Sequence, residues 1–337
     1  MLRTRSPDFE GSKVIKIMKK EKAIKVDAAR LYRKYGIFII LVIMFIISAV
    51  MNKNFLKPQN LLNILTQISV VTIIACGETI LIISGMIDLS AGMVCTMSSC
   101  FAAGILLQTG SLTAAILAGV FTGAAAGWVN GFLITKFKLQ PFIATLAMTN
   151  IAQGITQVYT GGTAIGAGEK VRFLGQGRIF GIPMPVIVML TAVIIIFLLM
   201  SKTKLGVNIY AIGGNEKAAI AAGVDVKRQK RIFFTISGAL VGIAGVILMA
   251  RLLSAQPSVG NGYEFDAITA TVVGGTSFTG GSGNVGYMLI GSIIVGLINN
   301  ILNLLNVSTQ YQMIIKGILI AGAVIIDIQT KGNKSES

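Results

Sequence analysis

Long apolar runs separated by short polar breaks constrain this sequence more than any other feature. Outside the first 34 residues, the stretch 202–231 and a few short loops, charged residues are scarce. About 20 apolar helical residues cross the hydrocarbon core of a bilayer. A soluble fold of this composition would also have too few polar residues to cover its surface. The pattern therefore predicts an all-α polytopic membrane protein with about ten transmembrane helices.

Glycine, proline and polar clusters set the limits of the predicted spans. The eighth span is short and glycine-rich, so a half-helix or re-entrant segment is expected there. Such backbone is tolerated at membrane depth only where protein or a water-filled cavity covers it. The predicted spans are 35–51, 61–83, 89–108, 111–135, 141–160, 184–201, 232–253, 266–280, 285–305 and 311–327.

The positions of the basic residues predict the orientation. Of the 29 lysines and arginines, 22 lie before residue 35, at 136 and 138, in 202–231 or after 328. Basic residues concentrate in cytoplasmic loops, so both termini are expected in the cytoplasm. The net charge of +16 then indicates contact with lipid headgroups rather than nucleic acid. Three regions follow: a cytoplasmic tail 1–34, a transmembrane domain 35–327 carrying the cytoplasmic segment 202–231, and a cytoplasmic tail 328–337.

Residue types exclude several kinds of chemistry. The chain has no histidine, which removes imidazole catalysis and histidine metal ligation. Its three cysteines, Cys76, Cys95 and Cys100, lie in apolar segments and are expected to be packing residues. The sequence also lacks the G-x-x-x-x-G-K-[ST] pattern of a phosphate loop. We therefore expect no catalytic residue, metal site or cofactor in this chain, so a nucleotide-driven process needs another polypeptide.

Polar side chains inside the predicted spans are the candidates for a solute path, because burying them in a membrane is costly without a partner or water. Amides and hydroxyls suit an uncharged, polyhydroxylated solute. For each residue taken alone, hydrogen bonding between helices is an equally good explanation. The candidates are Glu78, Asp88, Ser90, Asn130, Asn150, Gln153, Asn299 and Asn300.

Two local patterns inside the spans have specific structural interpretations. In the break 84–92, Asp88 is expected to cap the next helix in a re-entrant or tight cytoplasmic turn, and a proton-relay role for its carboxylate stays open. Small residues three or four positions apart predict helices that pack closely in lipid. They are Gly123, Gly127 and Gly131 in the fourth span, and Gly238, Gly242 and Gly245 in the seventh.

The polar segment 202–231 contains a predicted short helix. Asn215 is a suitable cap for a helix over 216–222, and Gly223 is suited to end it. A helix of this length is not stable alone. It therefore needs a protein partner or the membrane surface to rest against.

Several strings are informative when taken together. They include 63–67, 85–92, 141–146, 211–223, 250–257, 262–268, 273–277 and 311–317. They resemble the permease subunits of bacterial simple-sugar ABC importers, most closely the ribose branch. Permeases for galactosides, xylose and a furanosyl signalling molecule share much of the pattern and stay open as alternatives. The similarity extends over about 35–328 and implies a type II-like ABC importer permease in a bacterial inner membrane.

The resemblance implies an assembly of two permease copies, two ATPase subunits that bind ATP and magnesium, and an extracytoplasmic sugar-binding protein. The segment that would couple to the ATPase includes Gly213, Gly214, Asn215, Glu216, Ala219, Ala221, Gly223 and Val224. Loops 52–60, 161–183 and 254–265 would receive the binding protein. Their candidate docking residues are Lys53, Lys57, Arg172, Arg178 and Arg251, with Glu264 and Asp266 expected as local partners of Arg251.

Two other classes compete with this interpretation. A proton-coupled secondary transporter would use Glu78 or Asp88 as its proton carrier. A membrane-embedded enzyme would need catalytic histidine, cysteine or paired carboxylates at membrane depth. The segment 213–224 favours the importer, because a proton-coupled carrier does not need a coupling helix.

Overall fold

The structure, a computed structural model, describes residues 35–335 and consists mainly of helices. The predicted tail 1–34 lies outside the described residues. The helices are α1 Tyr35–Met51, α2 Pro58–Ile83, α3 Ala91–Thr109, α4 Leu112–Lys136, α5 Pro141–Thr160, α6 Arg172–Gln176, α7 Met184–Lys202, α8 Lys204–Gly214, α9 Glu216–Ala221, α10 Val226–Leu252, α11 Tyr263–Val273, α12 Val285–Leu304 and α13 Thr309–Ser335.

Six of the described helices, α2, α3, α4, α7, α10 and α12, are long and apolar enough to cross a membrane. Helices α1, α5 and α13 lie at the first, fifth and tenth predicted spans. The polytopic all-α class is therefore confirmed, while the number of ten crossings stays a prediction. Helix α13 also continues past the predicted limit of 327 to Ser335.

The eighth predicted span contains the half-length helix α11, which ends at Val273. Turns occupy 274–284, where Gly275, Gly280 and Gly281 have φ between 75° and 85°. Glycine adopts this left-handed region without the steric cost that a Cβ would bring. Helical backbone is thus replaced by glycine turns over the second half of the predicted span.

The two ends of the bundle carry different structures. At one end, the α6 end, β1 Ile165–Gly166 pairs antiparallel with β4 Ser254–Ala255, and β2 Arg178–Ile179 pairs with β3 Ile182–Pro183. A short 3₁₀ helix, Glu169–Val171, precedes α6. The opposite end, the α9 end, carries α8 and α9. Helices α2 and α7 run from the α6 end to the α9 end, and α10 runs back.

Helix α10 lies at the centre of the bundle and packs most closely against α4. A Cβ placed on Gly127 would overlap the carbonyl oxygen of Phe234, and one on Gly123 would lie 2.6 Å from the backbone nitrogen of Gly242. A Cβ on Gly238 would in turn overlap the carbonyl oxygen of Gly123. The close glycine packing predicted for the fourth and seventh spans is confirmed.

Candidate functional site

The predicted short helix in the segment 202–231 is confirmed as α9. Asn215 is its N-cap, and its side-chain oxygen accepts a hydrogen bond from the backbone nitrogen of Ala218 at 3.0 Å. At the other end, Gly223 has φ +86°, and the nitrogen of Val224 donates to the carbonyl oxygen of Ala219 at 3.0 Å. This is a glycine-ended helix of the Schellman type.

One face of α9 rests on the bundle while the other is exposed. Ala219 is buried, whereas Glu216, Ile220 and Ala221 are exposed, with 56% of Ile220 accessible. Glu216 also pairs with Lys230 of α10 at 2.8 Å. Helix α9 is therefore capped at both ends, and its exposed face is mainly apolar. Of the remaining coupling candidates, Gly214, Asn215 and Gly223 are exposed, and Gly213 and Val224 are half-buried.

A buried polar cluster lies where α2 breaks before α3. Glu78, Asp88, Ser90 and Asn130 are all buried. Asp88 accepts hydrogen bonds from the backbone nitrogen of Ser90, at 2.8 Å, and from the Ser90 hydroxyl, while Asn130 of α4 donates to Ser90 Oγ at 3.0 Å. The backbone nitrogen of Asp88 in turn faces Glu78 Oε2 at 3.5 Å. The structure therefore brings four of the predicted path residues together.

The expectation that Asp88 caps the following helix is wrong. The N-cap of α3 is Ser90, and Asp88 instead holds the turn just before it through the Ser90 nitrogen. An aspartate two residues before an N-cap forms this turn readily, because its short carboxylate reaches the backbone nitrogen two residues further along the chain.

Two predicted path residues, Asn150 and Gln153, lie on an exposed face of α5. With Gln157 they form a polar stripe at i, i+3 and i+7, flanked by exposed Ile151 and Val158. Within the part of the chain that the structure describes, Asn150 bonds to its own helix, through the carbonyl oxygen of Leu146 at 3.2 Å. In a membrane such a stripe needs a polar partner or water beyond the described residues.

The last two predicted path residues lie on α12 and bond to different neighbours. Asn300 is buried and exchanges two hydrogen bonds with Asn60 of α2, at 3.0 and 3.1 Å. Asn299 bonds to Asp266, which also pairs with Lys316 of α13 at 2.9 Å. Both asparagines therefore contact a neighbouring helix, and a role of either in a solute path stays a prediction.

The docking candidates lie at the α6 end, and only some of them meet. Arg178 and Arg251 line a cleft of about 220 Å³ together with Gln59, Asn63 and Gln176. Lys53 and Lys57 are exposed outside this cleft, and Arg172 pairs with Glu169 at 2.9 Å. The cleft combines two guanidinium groups with amides, which suits a carboxylate ligand.

The expected pairing of Arg251 with Glu264 and Asp266 is wrong. Arg251 Nη1 donates to the Gln67 carbonyl oxygen at 3.4 Å, and Asp266 pairs with Lys316 instead. Glu264 accepts from the backbone nitrogen of Gly262 at 3.2 Å and lies against Gly92 of α3. The reason is that the chain after β4 turns into the bundle, which buries both carboxylates away from the α6 end.

Sequence reasoning missed several residues that organise these sites. Lys316 forms an ion pair with Asp266, 50 residues away in the chain, and no local signal identifies this partner. Helix α8 was also missed, although Thr203 caps it by accepting from the Gly206 nitrogen at 3.3 Å. Threonine is a recognisable N-cap signal, but the stretch that follows it is rich in glycine and β-branched residues of low helix propensity.

Comparison with known proteins places the chain among transport permeases. The family described as branched-chain amino acid transport system / permease component matches residues 60–324. The chain is 44% identical to the ribose import permease protein RbsC of Bacillus subtilis, over 94% of this chain and 98% of that protein. It is 42% identical to the Escherichia coli K12 protein of the same name, over 86% and 92% of the two chains.

A permease named for another sugar is nearly as similar. The D-allose transport system permease protein AlsC of Escherichia coli K12 is 40% identical, over 89% of this chain and 93% of that protein. No solved structure matches the chain. With its apolar helices and these full-length relatives, the chain is a multi-pass membrane protein that belongs to the sugar ABC importer permease family.

Proposed function

We propose that the chain is the transmembrane permease of an ATP-driven, binding-protein-dependent importer of ribose. The observation that carries the proposal is the 44% identity to a ribose import permease along nearly the whole of both chains. The identity of 40% to a D-allose permease makes allose the nearest alternative solute. Permeases for galactosides, xylose and a furanosyl signalling molecule are further alternatives.

The exposed face of α9 would be the contact for an ATPase subunit. The helix is capped at both ends and presents Ile220 and Ala221 outward. A six-residue helix needs a docking partner to be useful, because its own hydrogen bonds stabilise it little. ATP and magnesium would then bind to the partner ATPases, and the movement of α9 would drive alternating access. Glu216 is engaged with Lys230, so the apolar residues form the main contact.

Ten crossings with both termini in the cytoplasm are consistent with the way basic residues are distributed between the α9 end and the α6 end. The α9 end collects the basic segment 202–231, and basic residues favour the cytoplasmic side. The α6 end, with Arg178 and Arg251 in its cleft, would then face outward and receive acidic side chains of the sugar-binding protein. Lys53, Lys57 and Arg172 would surround that contact.

A second copy of the chain would cover the polar stripe of α5. Asn150, Gln153 and Gln157 cannot face hydrocarbon without loss of stability, because each amide would lose its hydrogen bonds with water. Between two permeases the same stripe would line a water-filled path for a hydroxyl-rich solute. Glu78, Asp88, Ser90 and Asn130 would stabilise the break beside that path.

Transport in proteoliposomes tests the proposal. The purified permease, its ATPase and its binding protein are reconstituted, and uptake of labelled ribose, allose and xylose is compared with ATP inside. We expect ribose uptake that requires ATP and survives an uncoupler that collapses the proton gradient. Uptake that follows the proton gradient without ATP would instead support the secondary transporter that uses Glu78 or Asp88.

A further inference from the structure

Three backbone segments meet at the α9 end with no side chain between them. The carbonyl oxygen of Ile83, in the last turn of α2, accepts a hydrogen bond from the nitrogen of Gly281 at 2.8 Å. A Cβ on Gly213 of α8 would overlap that same carbonyl oxygen. A Cβ on Gly280 would lie 2.9 Å from the Gly213 oxygen. Only glycine fits at these positions.

A side-chain contact ties α8 to the same turn. The hydroxyl of Tyr210 donates to the carbonyl oxygen of Gly283 at 3.0 Å. Burial raises the pKa of Tyr210, so the hydroxyl keeps its proton and stays a donor at physiological pH. We call Ile83, Tyr210, Gly213, Gly281 and Gly283 the glycine junction. It joins α8, which leads directly into α9, to the turn 274–284.

The turn 274–284 directly follows α11, which packs in the interior of the bundle. Along α11, Thr271 lies 3.4 Å from Thr79 of α2 through their hydroxyl oxygens. At its start, the nitrogen of Gly260 donates to Thr96 of α3 at 3.0 Å, and Glu264 packs against Gly92. Helix α11 therefore connects the glycine junction to the break before α3, which holds Asp88 and Ser90.

We propose that the glycine junction transmits movement of α8 and α9 to α11, with Tyr210, Gly213 and Gly281 as positioning residues. The inference rests on the proposed function, because it requires an ATPase that moves α9. Backbone atoms in direct contact cannot absorb displacement by side-chain rotation, and packed protein interiors deform little. A shift of α8 is therefore passed to the turn 274–284, and the break beside the buried polar cluster moves with α11.

The experiment compares two glycines of the same turn in the reconstituted complex. Gly281 and Gly275 both have positive φ, but a Cβ on Gly281 would lie 2.9 Å from Gly214 Cα, whereas one on Gly275 meets nothing within 4 Å. Alanine at either position brings the same backbone strain, so the difference isolates the contact. We expect Gly281→Ala to lower ribose transported per ATP hydrolysed about tenfold relative to Gly275→Ala.

Tyr210→Phe supplies a second variant that removes a single oxygen and leaves the glycines unchanged. Loss of its hydrogen bond to Gly283 is expected to lower the same ratio about fivefold. The readout is a ratio measured on assembled complex that still hydrolyses ATP, which a general loss of folding would not produce. If Gly281→Ala does not assemble, Tyr210→Phe decides the outcome.

The possible results distinguish a failure of the glycine junction from a failure of the proposed function. A wild-type ratio in both Gly281→Ala and Tyr210→Phe, or an equal loss in Gly281→Ala and Gly275→Ala with a wild-type ratio in Tyr210→Phe, overturns the junction and leaves the proposed function intact. If the wild-type complex shows no ATP-dependent uptake, the proposed function itself fails.

Discussion

The cap of α9 gives the sharpest prediction for the coupling between permease and ATPase. Asn215→Ala removes the side-chain bond to the Ala218 nitrogen and is expected to destabilise the helix by about 1 kcal/mol. Helix α9 has six residues and little stability of its own, so this free energy appears directly in its local folding equilibrium. It corresponds to a factor of about five for each helix. With two permease copies engaged, assembly of the complex weakens by about 25-fold.

The assay is a titration of ATPase subunits against permease in lipid nanodiscs, followed by ribose uptake at saturating ATPase. Asn215→Ser is the matched control, because serine caps a helix about as well as asparagine and keeps the position neutral. We expect the alanine variant to bind more weakly and the serine variant to behave as wild type. High ATPase concentration should restore uptake in the alanine variant. Equal affinity of the alanine and serine variants would refute the assignment of α9 as the docked helix.

Three further predictions follow from other contacts. Gly127→Ala is expected to lower the thermal unfolding temperature by about 5 °C, because the added methyl overlaps the Phe234 carbonyl oxygen. Gly317→Ala is the control and should leave this temperature unchanged, because its added methyl meets no atom within 4 Å. Equal shifts in the two variants would contradict the close packing of α4 and α10. Arg251→Glu is expected to raise the half-saturating concentration of binding protein for ATPase stimulation about tenfold at low salt, with a smaller effect at high salt; an unchanged value would remove Arg251 from the docking surface. Glu78→Gln is expected to keep uptake within about twofold of wild type, because Glu78 Oε1 has no partner among the described residues and a buried charge without a cation is unfavourable. Loss of uptake in a folded Glu78→Gln protein would favour the proton carrier.

Local signals predicted the parts of the fold that local interactions determine. Asn215 and Gly223 predicted both ends of α9, because capping depends on residues within one turn. The glycine spacing at Gly123 and Gly127 predicted close helix packing, although it did not identify α10 as the partner.

Contacts between distant segments were not predictable in the same way. The pairing of Asp266 with Lys316 depends on α11 and α13 meeting, and the Arg251 prediction was wrong because the chain after β4 enters the bundle. The path candidates show the same limit. Composition placed Asn150 and Asn300 inside predicted spans, but Asn300 bonds to Asn60 while Asn150 faces outward, and only the packing of α5 and α12 distinguishes them.

The pairing of β1 with β4 has a mechanical consequence for the chain between them. Ile165 and Ala255 are partners in one small sheet. The chain segment before α7 and the segment after α10 are therefore joined at a shared anchor. The intervening stretch is a long hairpin fixed at its base, with α9 at its tip. A push on the tip cannot slide one leg along the other without breaking that anchor, so both legs must tilt together.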